Sequence, residues 1–245
     1  NIKFKKRGQI FMKTLVICSG GMDSVALAYL IKKERELTRL VSFDYGQRHK
    51  NELQYAANVS KELQVPHSII DISNISQYLS GSALTDDIDV PDGHYAEENM
   101  KTTVVPNRNA IMLSIAFGIA AGEKSSAVAA AVHAGDHFIY PDCRPEFVDT
   151  FRAMQNCALE GVWDVDLYAP FVNISKADIA KIGYDLGVKF ENTWSCYKGG
   201  KIHCGRCGTC VERQEAMHLA GIKDKTEYED SNYWKEKVRD AQPNN

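Results

Sequence analysis

The sequence predicts an α/β fold in which a parallel sheet carries helices on both faces. Short apolar runs of strand length alternate along the chain with stretches of helical length. This alternation is typical of parallel sheets, because each helix covers the sheet while it connects two parallel strands. Strands are predicted at residues 14–19, 39–46, 67–73, 126–135 and 165–172, and helices at residues 23–34, 51–64, 109–124, 144–159 and 175–187.

Each predicted element rests on its own residues. The run TLVICS is continuously apolar, as a buried strand requires, and DSVALAYLIKKE after it has the periodicity of an amphipathic helix. The fourth helical stretch has Pro145 near its first turn, where proline is tolerated. The fifth has Ser175 as a candidate N-cap and Gly187 as a stop signal. The elements therefore have local start and stop signals as well as apolar periodicity.

The length of 245 residues fits one large domain, or one domain with a small appendage. Residues 1–11 are basic and precede Met12, so we interpret them as an extension that resembles a vector-derived tag. Residues 12–190 are predicted to form the main domain, and residues 191–245 a C-terminal part with a tail. Residues 80–107 are rich in Gly, Asp, Pro and Thr, which predicts a long loop of functional rather than connecting character.

Composition and charge exclude several classes of protein. A net charge of −3 gives no general attraction to nucleic acid or to acidic membranes. No apolar run approaches the roughly 20 residues that span a bilayer, and the basic start lacks the apolar stretch of a signal peptide. Seven cysteines are present, four of them within residues 196–210, which is unlike a secreted disulfide framework. We therefore expect a cytoplasmic protein with no membrane and no nucleic-acid partner.

The segment CSGGMDSVAL, residues 18–27, joins the first predicted strand to the first helix. Parallel α/β sheets bind ligands at this edge, and glycines at a helix start let backbone amides approach a phosphate. Asp23 in the first turn is a candidate to hold Mg²⁺ between phosphates, with Ser24 beside it. The segment has neither the Walker lysine nor the third glycine of the dinucleotide fingerprint. The alternative is an ordinary strand–helix turn with a serine cap.

The cysteines after residue 195 form a second motif, with the spacing C-x7-C-x2-C-x2-C. Two overlapping C-x2-C units direct consecutive thiolates to one ion, and a fourth thiolate closes a tetrahedral structural site. Zinc is the predicted metal, although an iron–sulfur cluster also takes four thiolates. His203 lies beside the ligands, but the complete cysteine set makes it unnecessary. The predicted ligands are Cys196, Cys204, Cys207 and Cys210.

Together the two motifs resemble one family, the 7-cyano-7-deazaguanine synthases of queuosine biosynthesis. The resemblance extends from Met12 to about Ile222 and depends on an ordered series of segments rather than on one motif. These are SGGMDS, SFDYGQRH, GSALTDD, VPDGHY, VPNRN, YPDCRPEF, SKADI and TWSCYKGG…CGRCGTC. SGGMDS is similar to the pyrophosphate-loop signature of enzymes that split ATP between its α and β phosphates.

The resemblance implies a fold, a reaction and a set of cofactors. The fold would be a pyrophosphate-loop domain, similar to adenine nucleotide alpha-hydrolases, with a small zinc-bearing C-terminal part, and the protein a homodimer. The reaction would convert 7-carboxy-7-deazaguanine and ammonia to the nitrile through an acyl-adenylate and an amide, releasing AMP and pyrophosphate. The cofactors would be ATP, Mg²⁺ and one structural Zn²⁺ per chain. Without a glutaminase domain, free ammonia or a separate donor is expected.

The resemblance also assigns roles to residues. Asp23, Ser24 and Lys176 would be catalytic, with Lys176 as the cation that meets the departing pyrophosphate. The nucleotide-binding residues would be Cys18, Ser19, Gly20, Gly21, Met22, Asp23, Ser24, Val25, Ala26, Leu27 and Ala28. The substrate-binding residues would be Tyr45, Gln47, Arg48, Arg108, Asp136, Tyr140, Asp142 and Arg144. His67 and His218 are expected to be surface or packing residues.

One segment departs from the family pattern. Where the family usually has Gly-x-Asn and small residues before YPDCR, this chain has Ala131, His133, Phe138 and Ile139. If Phe138 and Ile139 line the base pocket, the added bulk affects the second step. Three alternatives remain besides an enzyme that stops at the amide. They are a tRNA sulfur-transfer enzyme, an amide-forming ligase similar to NAD or GMP synthetases, and a zinc-ribbon binding module.

Overall fold

The computed structural model describes residues 12–241, so the prediction for residues 1–11 lies outside the described part. The strands are β1 Lys13–Ile17, β2 Glu36–Asp44, β3 His67–Asp71, β4 Ala127–Ala129 and β5 Asp166–Tyr168. The α-helices are α1 Met22–Glu34, α2 Asn51–Leu63, α3 Arg108–Glu123, α4 Pro145–Leu159, α5 Lys176–Asp185, α6 Gly208–Leu219 and α7 Tyr233–Ala241. Short 3₁₀ helices span Ser73–Tyr78, Glu98–Thr103, Ala134–Phe138, Pro141–Cys143 and Phe190–Asn192.

The five strands form one sheet in the order β3-β2-β1-β4-β5, and every neighbouring pair is parallel. Successive side chains of a strand point to opposite faces, so Leu15 and Val16 of β1 enter two different apolar cores. Helices α3 and α4 supply the core on the Leu15 face, whereas α1 and α5 supply the core on the Val16 face. The predicted fold class, a parallel sheet with helices on both faces, is confirmed.

Strands β4 and β5 are shorter than predicted. The last bond that joins the two strands runs from the Ala130 amide to the Tyr168 carbonyl, at 3.1 Å. The chain after Ala130 then leaves the sheet and lines a cavity before the 3₁₀ helix Ala134–Phe138. Apolar residues continue beyond both strand ends, and periodicity alone does not distinguish a strand from an apolar cavity wall.

The C-terminal part packs against the nucleotide loop and contains two helices, α6 and α7, that the sequence prediction lacked. The Trp194 amide donates to the Gly20 carbonyl at 2.9 Å, which ties this part to the loop after β1. Arg213 of α6 is fully buried, and its guanidinium donates to the Phe190 carbonyl and lies 3.6 Å from Asp224. A buried arginine paired in this way is costly to disturb, because its partners would be left unpaired.

The loop of residues 80–107 is held against the cysteine-rich segment. Asp92 forms ion pairs with Lys198 and Arg206, and the Gly93 amide donates to the Arg206 carbonyl at 3.1 Å. These contacts place Tyr95 and other loop side chains in the wall of the cavity described below. Over residues 12–241, no helix is both long and apolar enough to cross a bilayer.

Candidate active site

A cavity of about 270 Å³ opens at the carboxyl ends of the strands. Its wall combines the loop after β1, the end of β2, the long loop, the start of α3, the segment after β4, the start of α5 and the C-terminal part. Parallel sheets bind ligands at this edge, because loops from several strands converge there. The predicted nucleotide loop and much of the predicted substrate site therefore share one cavity.

The nucleotide loop needs a glycine at position 20. Gly20 has a φ of +92°, and a Cβ there would lie 2.2 Å from the Glu52 carbonyl oxygen, so neither the backbone conformation nor the space suits another residue. Gly21 is the N-cap of α1 and lines the cavity. Ser19 and Ser24 approach each other through their hydroxyls at 3.2 Å, and Ser24 donates to the Gly21 carbonyl. The start of α1 thus presents amides and hydroxyls where an anion is favoured.

Asp23 projects from the first turn of α1 into the cavity. Its Oδ2 lies 3.0 Å from Lys176 Nζ, whereas its Oδ1 is buried and has no hydrogen-bond partner among the described residues. Burial raises the pKa of Asp23, but the charges of Lys176 and His133 outweigh burial and hold the pKa below its ordinary value. An ionised carboxylate with a free buried oxygen fits a Mg²⁺ ion, which typically takes one or two carboxylates together with phosphates.

Lys176 connects Asp23 to α6. Its Nζ donates to Glu212 Oε2 at 2.7 Å. Ser175, the residue before it, is the N-cap of α5 in a capping box with Asp178, which confirms the predicted N-cap. Burial opposes the charge on Lys176, but Asp23 and Glu212 outweigh it, so its pKa is raised. Glu212 is not among the residues predicted from the sequence, where its position two residues after Cys210 is the only signal.

His133 is the centre of the same charged cluster. Its Nε2 lies 3.5 Å from Asp136, 3.8 Å from Asp23 and 4.0 Å from Glu212. The Gly135 amide donates to His133 Nδ1 at 3.1 Å, which orients the ring. Burial raises the pKa of Asp136, although His133 lowers it. The residue that the sequence marked as a departure from the family pattern therefore lies among the acidic groups of the site.

The other end of the cavity is lined by aromatic hydroxyls, Arg108 and Glu52. Arg108 donates to the Tyr45 hydroxyl at 3.3 Å, and the Tyr140 hydroxyl lies 2.6 Å from Thr103 Oγ1. Burial raises the pKa of Tyr45 although the charge of Arg108 lowers it. Burial also raises the pKa of Glu52 to about 7, against the lowering effect of Arg108. Glu52 is not among the predicted site residues, because it lies in α2 outside any recognisable motif.

Four predicted substrate residues lie outside the wall of this cavity. Asp142 accepts from the Asn109 amide at 3.1 Å in the first turn of α3, and Arg144 donates to the His137 carbonyl. Arg48 donates to the Ile88 carbonyl and pairs with the exposed Asp87. Gln47 bonds the backbone of its own turn and Glu52. All four side chains therefore already have partners within the chain, and their roles in substrate binding stay predictions. The remaining four, Tyr45, Arg108, Asp136 and Tyr140, line the cavity.

Only part of the predicted nucleotide-binding range lines the cavity. Ser19, Gly21, Met22, Asp23 and Ser24 line the cavity. Cys18 and the range Val25–Ala28 are instead buried in the core beneath it, because they occupy a strand end and the inner side of α1. Gly20 faces the backbone of α2.

Of the two bulky residues in the segment that departs from the family pattern, one lies in the cavity wall and the other is exposed to solvent. Ile139 is 8% exposed and lines the cavity, so it meets the condition under which its bulk would affect the base. Phe138 is 69% exposed and lies outside the cavity wall, so it does not meet that condition. It ends the 3₁₀ helix Ala134–Phe138, where a single turn directs neighbouring side chains to different sides.

The four predicted metal ligands converge. One atom from each of the four cysteines lies within 4.8 Å of the others, and all four residues are buried. Four sulfur atoms at this separation fit a tetrahedral Zn²⁺ site with no open position, which is typical of a structural metal. His203 accepts a hydrogen bond from the Ser195 amide at 3.0 Å and packs on the Trp194 ring. These contacts hold the chain just before Cys196 in position. The four cysteines are Cys196, Cys204, Cys207 and Cys210.

A family model described as "Queuosine biosynthesis protein QueC" matches residues 13–221. The chain belongs to the QueC family. This confirms the resemblance that the ordered motifs predicted.

Relatives of this family cover nearly the whole chain. A "7-cyano-7-deazaguanine synthase" of Sinorhizobium fredii is 69% identical over 223 residues, which are 91% of this chain and 94% of the relative. One of Brucella anthropi is 66% identical over 227 residues, or 93% of this chain and 98% of the relative. The structure of the NMN synthetase from Francisella tularensis is similar with a TM-score of 0.50 and 16% identity, covering 94% of this chain and 86% of that one. At that identity the similarity concerns the fold alone.

Proposed function

We propose that the chain is an ATP-dependent 7-cyano-7-deazaguanine synthase. It converts 7-carboxy-7-deazaguanine and ammonia to the nitrile through an acyl-adenylate and an amide, releasing AMP and pyrophosphate. The observation that carries this proposal is the contact of Asp23 with Lys176 beside the SGGMDS loop, in a chain of the QueC family. The carboxylate and the ammonium group lie where the triphosphate of ATP would meet the start of α1.

The chain's own residues support adenylation by binding and by charge. The amides at the start of α1 and the hydroxyls of Ser19 and Ser24 bind the phosphates, while Lys176 offsets the negative charge that develops on pyrophosphate as it leaves. The opposite end of the cavity holds the deazaguanine base. There Arg108 is placed to bind its carboxylate, since guanidinium groups pair with carboxylates through two hydrogen bonds. Positioning and charge, rather than a covalent enzyme intermediate, account for the chemistry.

Two metals belong to the proposal. Mg²⁺ would be held by Asp23 Oδ1, the buried oxygen that lacks a protein partner, and when bound it supplies positive charge to the phosphates. Zn²⁺ would be held by Cys196, Cys204, Cys207 and Cys210, and its binding energy would stabilise the C-terminal part. We further propose a cytoplasmic homodimer, because four clustered cysteines without disulfides are typical of a reducing compartment and the family resemblance implies a dimer.

Sulfur transfer to tRNA is less well supported. Such an enzyme needs a reactive thiolate near the nucleotide, whereas burial raises the pKa of Cys18, directly before the loop, to about 11. Burial and the nearby Asp136 also raise the pKa of Cys143, the cysteine of the cavity wall. Both side chains remain thiols near neutral pH, so neither is suited to nucleophilic attack.

The test is product analysis by mass spectrometry after incubation with 7-carboxy-7-deazaguanine, ATP, Mg²⁺ and ammonium. We expect the nitrile, with the amide as an intermediate, and AMP with pyrophosphate as the nucleotide products. Asp23→Asn should abolish turnover at an unchanged fold, whereas Asp185→Asn at the end of α5 should not. Substrate-dependent ADP as the main nucleotide product would exclude the proposal, and accumulation of the amide alone would favour the alternative that stops there.

A further inference from the structure

A second, smaller cavity of about 30 Å³ adjoins the main one. Tyr45, Glu52, Trp194 and Tyr197 line both cavities, so the two share a wall. The remaining wall consists of Gln47, Arg48, His49, Leu84 and Cys196. A water-sized molecule needs about 10–15 Å³ of such space, so the side cavity has room for a small molecule and is too small for a nucleotide or a base.

Glu52 is the acidic group of this wall. Its Oε1 accepts from Gln47 Nε2 at 3.2 Å, and no residue of the described chain donates to Oε2. Gln47 is itself held by the Tyr45 amide and the Phe43 carbonyl, which fixes its amide toward the carboxylate. A carboxylate with one oxygen free at the wall of a small cavity is suited to a small hydrogen-bond donor or cation.

The basic groups nearby are engaged elsewhere. Arg48 donates to the Ile88 carbonyl and pairs with Asp87, and Arg108 donates to the Tyr45 hydroxyl. Burial and the charge of Arg48 lower the pKa of His49, which disfavours a charged ring. Arg108 acts on Glu52 only through its charge, which lowers the pKa of the carboxyl, and no arginine forms an ion pair with Glu52 within 4 Å among residues 12–241.

We propose that the side cavity binds the nitrogen co-substrate as an ammonium ion, with the Glu52 carboxylate as its counter-ion and proton acceptor. This inference rests on the proposed function. One N–H bond of ammonium breaks, and the proton passes to Glu52 Oε2 to leave neutral ammonia. The nitrogen lone pair then attacks the carbonyl carbon of the acyl-adenylate, the C–N bond forms and the bond to AMP breaks. The proton lost by the attached nitrogen and the proton held by Glu52 return to solvent.

Two properties of Glu52 suit this role. Glu52 lies in the wall of both cavities, so ammonia released beside it has direct access to the main one. Burial also raises its pKa to about 7, which makes the carboxylate a stronger base than an ordinary glutamate. The Gln47 side chain, predicted to bind substrate, would instead orient the proton acceptor.

The test compares two nucleophiles, ammonium and hydroxylamine, in Glu52→Gln and wild-type protein at pH 7. Hydroxylamine is uncharged at this pH and needs neither a counter-ion nor a proton acceptor. We expect kcat/KM for ammonium to fall by at least about tenfold and that for hydroxylamine to change by less than about threefold. Pyrophosphate exchange that depends on the carboxylate substrate should stay unchanged. The matched control is Glu62→Gln on the same helix, whose carboxylate faces Lys189 far from both cavities.

A second measurement needs no turnover. Ammonium chloride should raise the melting temperature of wild-type protein above that in sodium chloride of equal ionic strength, because a ligand that binds only the folded state stabilises it. The difference should vanish in Glu52→Gln. Equal losses with both nucleophiles, or an unchanged kcat/KM for ammonium, would overturn the ammonium site. A wild-type protein without substrate-dependent pyrophosphate exchange would instead refute the proposed function.

Discussion

Lys176 Nζ lies 2.7 Å from Glu212 Oε2, and the two side chains are only 10% and 9% exposed. Lys176 begins α5, whereas Glu212 follows Cys210 by two residues in α6. This ion pair therefore links the SGGMDS end of the cavity to the helix that carries Cys210. A buried pair contributes little net stability, but removal of one partner leaves the other charge uncompensated. The pair is thus better suited to hold Lys176 in position than to stabilise the fold.

We expect Glu212→Gln to reduce kcat about tenfold with little change in the KM for ATP, because Lys176 keeps its charge but loses one of its two anchors. Lys176 stays protonated in the variant, because Asp23 and Asp136 still raise its pKa. Steady-state kinetics with varied ATP measure kcat and KM separately. Glu229→Gln, at an exposed position beyond α6, is the control. An unchanged kcat, or a loss that lies in the KM for ATP alone, would contradict the positioning role.

Cys204→Ser should lower the zinc content well below one ion per chain. Because the binding energy of a structural metal is folding energy, the C-terminal part should also lose protection. Elemental analysis measures the metal, and hydrogen exchange should rise in α6 and in the loop held by Asp92. Cys157→Ser, at an exposed cysteine outside the cluster, should change neither. Full zinc occupancy in Cys204→Ser would refute the ligand assignment.

Glu52 makes a pH-dependent contribution to stability. Its pKa is raised from 4.5 to about 7 in the folded chain, so the folded state binds more protons than the unfolded state between these values. The contribution of Glu52 is therefore present below pH 4.5 and is lost as the pH rises through 7. We expect Glu52→Gln to gain stability relative to wild type between pH 5 and pH 8, by at most about 3 kcal/mol.

Urea unfolding of both proteins at the two pH values measures this difference. Protonation of the cysteine cluster affects both proteins alike and cancels in the comparison. Glu62→Gln should follow the wild-type profile. A constant difference between wild type and Glu52→Gln would show that Glu52 titrates as an ordinary glutamate.

Ile139 and Phe138 should respond differently to truncation. Ile139→Gly opens the wall of the cavity, and we expect it to change the KM for the deazaguanine substrate and the ratio of amide to nitrile. Phe138→Ser, at a side chain that is 69% exposed, should alter neither. The amide-to-nitrile ratio of each variant is measured by mass spectrometry. Equal behaviour of the two variants would mean that the segment after β4 does not contact the base.

Local chemistry predicted the fold class and both motifs. Some features depend only on residues that are neighbours in the sequence, so the sequence predicts them. They are the alternation of strands and helices, the capping serine of α5 and the Ser-Gly-Gly loop. The four cysteines were equally clear, because zinc spacing is a property of a short segment. Such features need no knowledge of distant contacts.

Only the tertiary structure placed Glu212 beside Lys176, His133 among three carboxylates, and Glu52 between two cavities. Their partners come from elements far apart in the sequence. The apolar periodicity of a strand or helix does not indicate which polar side chain faces a cavity. The same reason explains why Asp142 and Arg48, which have suitable chemistry, lie outside the main cavity and bond to nearby backbone groups. The sequence alone therefore determined which chemical groups the chain carries, and three-dimensional packing determined which of them meet.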